Sequence, residues 1–231
     1  MKQKVQTGLL LSMILLSAAT FGQSKGPESR KISDGKKTAK TYLDLMVNVV
    51  STNLNYGGSN GALADYKKSA HGIQAGASFQ AGITPGFSLV SELYFMKKGG
   101  KLQANNPLSA NESTLRINTL ELPVLARFHF GKFYMNAGPS IAYNLSGSRK
   151  SDDLSTKLSF QNSSAGFKRF DAGIQMGGGF EFPLKQKRVA LDLRYSYGLT
   201  NIAYDKEMYN RALMVSLHFS KPWKTNPLGR K

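Results

Sequence analysis

Beyond residue 40 the chain alternates apolar and polar positions with a period of two, in eight separate stretches. Leu43, Leu45, Val47 and Val49 stand against Asp44, Met46, Asn48 and Val50. Ile73, Ala75, Ala77, Phe79 and Ala81 stand against Gln74, Ser78 and Gln80, and Phe87, Leu89, Leu93 and Phe95 against Ser88, Glu92 and Tyr94. The remaining sets run over residues 120–130, 133–144, 170–182, 189–198 and 212–219. A period of two puts successive side chains on opposite faces, so each stretch predicts a strand with one apolar and one polar face. No helical period of useful length accompanies them.

The connections alternate as well. Long ones are expected at about 55–69, 97–114, 146–166 and 200–209. Short ones are expected at 82–86, 131–132 and 183–187. Short turns at one end and long loops at the other are the habit of a transmembrane barrel with periplasmic turns. The expected fold is therefore all-β, an eight-stranded antiparallel up-and-down barrel of outer-membrane type. A soluble lipocalin-like barrel has the same alternation with its apolar set turned inward. Three features favour apolar-outward. The polar faces carry Glu, Asp and Arg with many glycines and no Lys. Aromatic pairs collect at strand ends (Phe87 and Phe95, Phe128 and Phe130, Phe180 and Phe182, Tyr195 and Tyr197), as interface girdles do. The final stretch, Leu213 to Phe219, ends on an aromatic residue like a terminal β-signal, although a tail follows it.

The start of the chain is different. Met1–Lys4 is basic, an apolar run follows from Gly8 to Phe21, and Ser17-Ala18-Ala19 are small. This reads as a signal peptide, residues 1–22, because the run falls short of the ~20 residues that a spanning helix needs. Residues 23–40 are polar and predict a flexible periplasmic leader. The barrel is expected over 41–219 and a basic C-terminal tail over 220–231. The chain of 231 residues has no Cys, which excludes disulfides and thiolate metal sites. Its 31 Lys+Arg against 14 Asp+Glu give a net charge of +17. In an exported chain without a recognition motif, that excess points to anionic lipid and lipopolysaccharide rather than nucleic acid.

Five stretches in order, Phe87–Gly99 (FSLVSELYFMKKG), Leu120–Phe130 (LELPVLARFHF), Phe133–Tyr143 (FYMNAGPSIAY), Phe170–Phe182 (FDAGIQMGGGFEF) and Leu191–Ile202 (LDLRYSYGLTNI), resemble the PorT-type outer-membrane β-barrel family of Bacteroidetes. The resemblance spans most of residues 41–219. It implies an integral outer-membrane protein of a Gram-negative bacterium and little about activity. The family label also names a component of protein secretion, a role that shared family does not carry over.

The polar faces hold the acids Asp44, Glu92, Glu121, Asp171, Glu181 and Asp192 with Arg127 and Arg194. Eight strands leave an interior that side chains fill. A confined carboxylate costs several kcal/mol unless it is paired. A guanidinium fork satisfies two carboxylates at once. The expected arrangement is a structural network centred on Arg127 and Arg194 and held by Glu92, Glu121, Glu181 and Asp192, with Asp171 nearby. Gly138, Gly173, Gly177 and Gly179 are expected to make room for Tyr94 and Tyr134. A proton or ion relay is the functional alternative. No catalytic residue, cofactor or metal site is expected. His71, His129 and His218 lack metal spacing, and Ser69 with His71 lacks an orienting acid. The resulting reading is a structural or interaction module that is not an open pore and touches outer-membrane lipid or other envelope proteins. A secretion or transport component using the inner charges is the alternative, with an envelope-lipid enzyme behind it.

Overall fold

A computed structural model describes residues 41–184 and 187–222. The expected signal peptide, the leader and residues 223–231 of the expected tail lie outside the described residues. Eight long strands follow one another: β1 (Tyr42–Tyr56), β3 (Ala70–Thr84), β4 (Phe87–Leu102), β5 (Ser113–Phe130), β6 (Phe133–Ser151), β8 (Phe170–Leu184), β9 (Lys187–Gly198) and β10 (Met208–Pro222). Two short ones, β2 (Lys67–Lys68) and β7 (Leu154–Lys157), pair with β4 and β6 in the long connections. Every neighbouring pair is antiparallel. The ring runs β1-β3-β4-β5-β6-β8-β9-β10 and closes where β10 pairs β1 over fifteen positions, Tyr42↔Pro222 to Tyr56↔Met208. Closure removes the unpaired edges that an open sheet would present to lipid.

The apolar set faces outward. Leu45 is 71% exposed, Val49 63% and Ile73 73%, while Asp44, Asn48 and Gln74 between them are buried. A sheet that hides its carboxylates and exposes its aliphatic side chains is built for a hydrocarbon solvent, and this excludes the lipocalin-like reading. Phenylalanines form a girdle at the short-turn end, where Phe87 meets Phe128 at 5.2 Å and Phe133 meets Phe180 at 5.3 Å between ring centroids. Two residues join β3 to β4 and β5 to β6. The second turn needs Gly131, whose φ of 70° would strain a residue with a Cβ.

The strands outrun the sequence expectation at the long-loop end. β4, β5 and β6 have 16, 18 and 19 residues, against the ~9–11 that cross a bilayer. The loops expected at 97–114 and 146–166 are therefore partly strand. The physical reason is an inversion of chemistry along the wall. On β5, Leu120, Leu122 and Val124 point out and Glu121 points in, but a turn higher Arg116 and Asn118 point out while Leu115 and Ile117 are buried inside. Above the lipid band the barrel becomes an ordinary water-soluble one with an apolar core. That core comprises Leu54, Tyr56, Leu63, Leu102, Leu115, Ile117, Phe167, Ile202, Ala203 and Met208. It draws in the connection Gly58–Tyr66, a 3-10 segment, and the loops after β7 and β9. At the other end β10 continues to Pro222, so the first three residues of the expected tail are strand.

A charged lumen beneath an apolar plug

Ion pairs cross the lumen in three tiers, each tying distant strands. In the middle tier Arg194 of β9 meets Glu92 of β4 through both terminal guanidinium nitrogens, Nη1 to Oε2 at 2.6 Å and Nη2 to Oε1 at 3.1 Å. This two-point fork is the strongest form of the contact. The same Arg194 donates to Asp192 at 3.2 Å and Gln175 at 3.1 Å. Arg127 of β5 approaches Asp192 at 3.6 Å, donates to Gln80 at 2.9 Å, and stacks on Tyr134 with its Cζ 4.1 Å from the ring centre. Tyr134 and Asn136 of β6 complete the shell by donating to Asp192. All four charged groups of this tier are almost fully buried. A bare charge there is prohibitive, so the pairing is obligatory.

Two further tiers rest on basic residues at positions where the alternation predicts a turn or a loop. Near the short-turn end Arg188 reaches Asp44 at 2.6 Å and Glu181 at 2.7 Å, with its guanidinium 3.7 Å above the Tyr42 ring. His129 and His218 sit beside this tier, 3.9 Å from Glu181 and 3.7 Å from Asp44. Towards the plug Lys98 of β4 lies 2.7 Å from Glu121 and 3.5 Å from Asp171. Asp171 also accepts from Asn210 at 2.7 Å and Thr200 at 2.8 Å.

The expected network is thus corrected in its centre. Glu92 and Asp192 do hold Arg194, and Asp192 is shared with Arg127. Glu121, Asp171 and Glu181 touch neither arginine and have their own cations, Lys98 and Arg188. The polar faces consequently carry a lysine, against expectation. The signal was parity: Lys98 shares the inward register of Glu92, Tyr94 and Met96, and Arg188 that of Asp192 and Arg194. Beside the charges the lumen has an apolar flank of Met46, Val50, Met96, Met214, Tyr94 and Ala212.

Of the four glycines expected beside the tyrosines, only Gly179 stands against one. A Cβ there would lie 2.3 Å from the Leu191 carbonyl and 2.5 Å from the Tyr134 hydroxyl, whereas at Gly138, Gly173 and Gly177 the nearest atoms belong to neighbouring strands and to neither Tyr94 nor Tyr134. Tyr94 is accommodated by Gly76, where a Cβ would sit 2.5 Å from the Tyr94 Cβ. Ser69 and His71 are exposed on the outer wall, and among the described residues no group of three His, Asp or Glu is placed to hold a metal. No helix of the described residues is long and apolar enough to cross a membrane.

A closed ring of eight strands, aliphatic outside and ion-paired within, defines an integral membrane barrel. The sequence model described as outer membrane protein beta-barrel domain matches residues 20–204, and the chain belongs to that family. It is an outer-membrane β-barrel protein. Similar solved structures include Ail, the attachment invasion locus protein of Yersinia pestis, at 10% identity over 78% of this chain and 99% of that one, with a TM-score of 0.42. Neisserial surface protein A is similar at 11% identity over 78% and 97%, with a TM-score of 0.45. OprG from Pseudomonas aeruginosa is similar at 11% identity over 83% and 99%, with a TM-score of 0.43. No curated protein matches the sequence.

Proposed function

We propose that this protein is a PorT-type barrel serving as a structural and interaction module of the outer membrane, and that it is not an open pore. The observation that carries this reading is the lumen itself. Arg194 bridges opposite walls to Glu92, Arg188 and Lys98 tie further non-neighbouring strands at two other heights, and an apolar plug lies above them. An ion entering from the plug side would cross dry apolar packing, then displace pairs whose separation strands a buried charge. What the molecule offers its surroundings is its outside. Lys97, Arg116, Arg169 and Arg211 emerge just beyond the lipid-facing band, with Arg169 against Tyr143 and Arg211 against Tyr197. Cations directly above an aliphatic wall suit phosphate-bearing lipids, lipopolysaccharide among them, each cation contributing ~1 kcal/mol.

Single-channel recording in planar bilayers tests the reading. Silence across the accessible voltage range supports a closed module. Steady, ion-selective steps overturn it in favour of a transport or secretion component that uses the inner charges.

A further inference from the structure

The tiers and the lipid-facing wall leave a concavity at the long-loop mouth without a role. Two adjoining cavities lie there, of about 150 Å³ and about 450 Å³, and both are walled by Arg149, Lys206 and Met208. The smaller is floored by Tyr56, Leu102 and Leu115, the inward residues of β1, β4 and β5 where those strands have run out of charge. A cavity of about 150 Å³ has room for one benzene ring, and Asn106, Ser109, Ser113 and Ser151 give this one a polar side as well. Arg149 is carried to the inside of the wall by its register opposite Leu115, yet it is exposed because the mouth opens there. Lys206 enters half-buried from the connection between β9 and β10. Among the described residues neither cation has an ion-pair partner, although every lumen base has one.

We propose that this mouth binds a small amphipathic carboxylate. Its apolar body, a ring or a short chain, rests on Tyr56, Leu102, Leu115 and Met208, and its anionic head lies between Arg149 and Lys206. A neutral hydrocarbon would leave two cations at the rim facing only the carboxylate of Asp205, which lines the larger cavity and is ion-paired to neither. A bare inorganic anion would lose water against the side chains of Leu102, Leu115 and Met208, which return no hydrogen bond. Only a molecule with both halves satisfies both surfaces. The plug beneath the floor makes this a holding site rather than the entrance to a path.

Methyl NMR of the barrel in lipid nanodiscs tests the site, because Met208 lines both cavities while Met135 and Met176 face lipid. Titration with benzoate is expected to shift Met208 saturably. Benzyl alcohol, the same ring without the charge, and acetate, the same charge without the ring, are expected to bind at least about tenfold more weakly. Arg149→Gln and Lys206→Gln should each weaken benzoate about tenfold, the loss of one charge-assisted contact. Unmoved Met46 and Met214 signals from the lumen certify that each variant is folded, and Lys206→Gln, in a connection, serves if Arg149→Gln is not. The proposal is overturned by no saturable shift at Met208, by shifts confined to Met135 and Met176, by benzyl alcohol matching benzoate, or by folded variants that bind benzoate unchanged.

Discussion

Arg188 and Asp44 are separated by 144 positions in the chain, and their side chains meet at 2.6 Å inside the barrel. The contact joins the start of β9 to the start of β1 across β10, and Arg188 also holds Glu181 and Gln80. Arg188→Gln would leave Asp44 buried beside nothing but a histidine and a serine. A loss of about 3–5 kcal/mol is expected, as for other buried pairs broken on one side. Urea unfolding in lipid vesicles measures it, and Asp44→Asn added to the same chain should restore a large part.

The Glu92–Arg194 fork permits a sharper separation. Glu92→Met and Arg194→Met each strand a buried charge, whereas the double replacement strands none beyond the Asp192 carboxylate that Arg127 already approaches. The double variant should therefore be more stable than the sum of the singles by several kcal/mol, the behaviour of a buried pair exchanged for apolar packing. A double-mutant cycle on the same unfolding assay gives the coupling, and strict additivity would contradict the buried geometry.

Outward positions should respond to height. Leu193 is 54% exposed and lies in register with Val215, itself opposite Val49, in the middle of the apolar wall. Leu193→Arg is expected to cost about 2–4 kcal/mol, the midplane penalty for a lipid-facing arginine. Thr114→Arg, on the extension of β5 beyond that wall, should fall within about 0.5 kcal/mol of the parent. Equal costs at the two positions would mean that the lipid band is misplaced.

The plug is separable from the barrel. Phe167 is 3% exposed and anchors the connection between β7 and β8 through its bridge to Ala203. Phe167→Ala leaves the backbone bridge but empties the ring's place in the plug, at about 3–5 kcal/mol of local packing. Proteolysis is expected to cut within 158–169 many times faster, while the heat-dependent gel mobility shift of the folded barrel stays the same.

Gly179 is a close-approach position in β8. A methyl there would fall 2.3 Å from the Leu191 carbonyl and 2.5 Å from the Tyr134 hydroxyl that donates to Asp192. Gly179→Ala should destabilise the barrel by about 1–3 kcal/mol through overpacking. Tyr134→Phe in the same chain recovers only the hydroxyl part, since the carbonyl does not move away.

Strand number, strand order and the facing of each strand were legible in the sequence because a lipid wall forces a strict period of two on every crossing segment. Leu43 to Val49 and Leu213 to Phe219 could be read directly. Strand ends were not legible. Leu115 and Ile117 look like loop residues between polar neighbours, yet they are the inside of an extension whose solvent has changed from lipid to water. The same change of solvent conceals Lys98 beyond Phe95, and a strand that starts earlier than its apolar alternation conceals Arg188 before Val189. Which acid meets which base could not be read at all. Glu121 faces inward as expected, but its partner depends on the stagger of β4 against β5 and β8, a property of ring closure that no single strand encodes.

That β10 is the sole partner of one side of β1 has a temporal consequence. The first strand of the barrel is the last to be completed, since its remaining neighbour is the last strand of the ring. A nascent or truncated chain lacking Met208–Pro222 would offer two bare rows of amides to acyl tails that cannot bond them. Burial of the barrel in acyl chains without unpaired amides accordingly requires the whole strand set, β1 and β10 together.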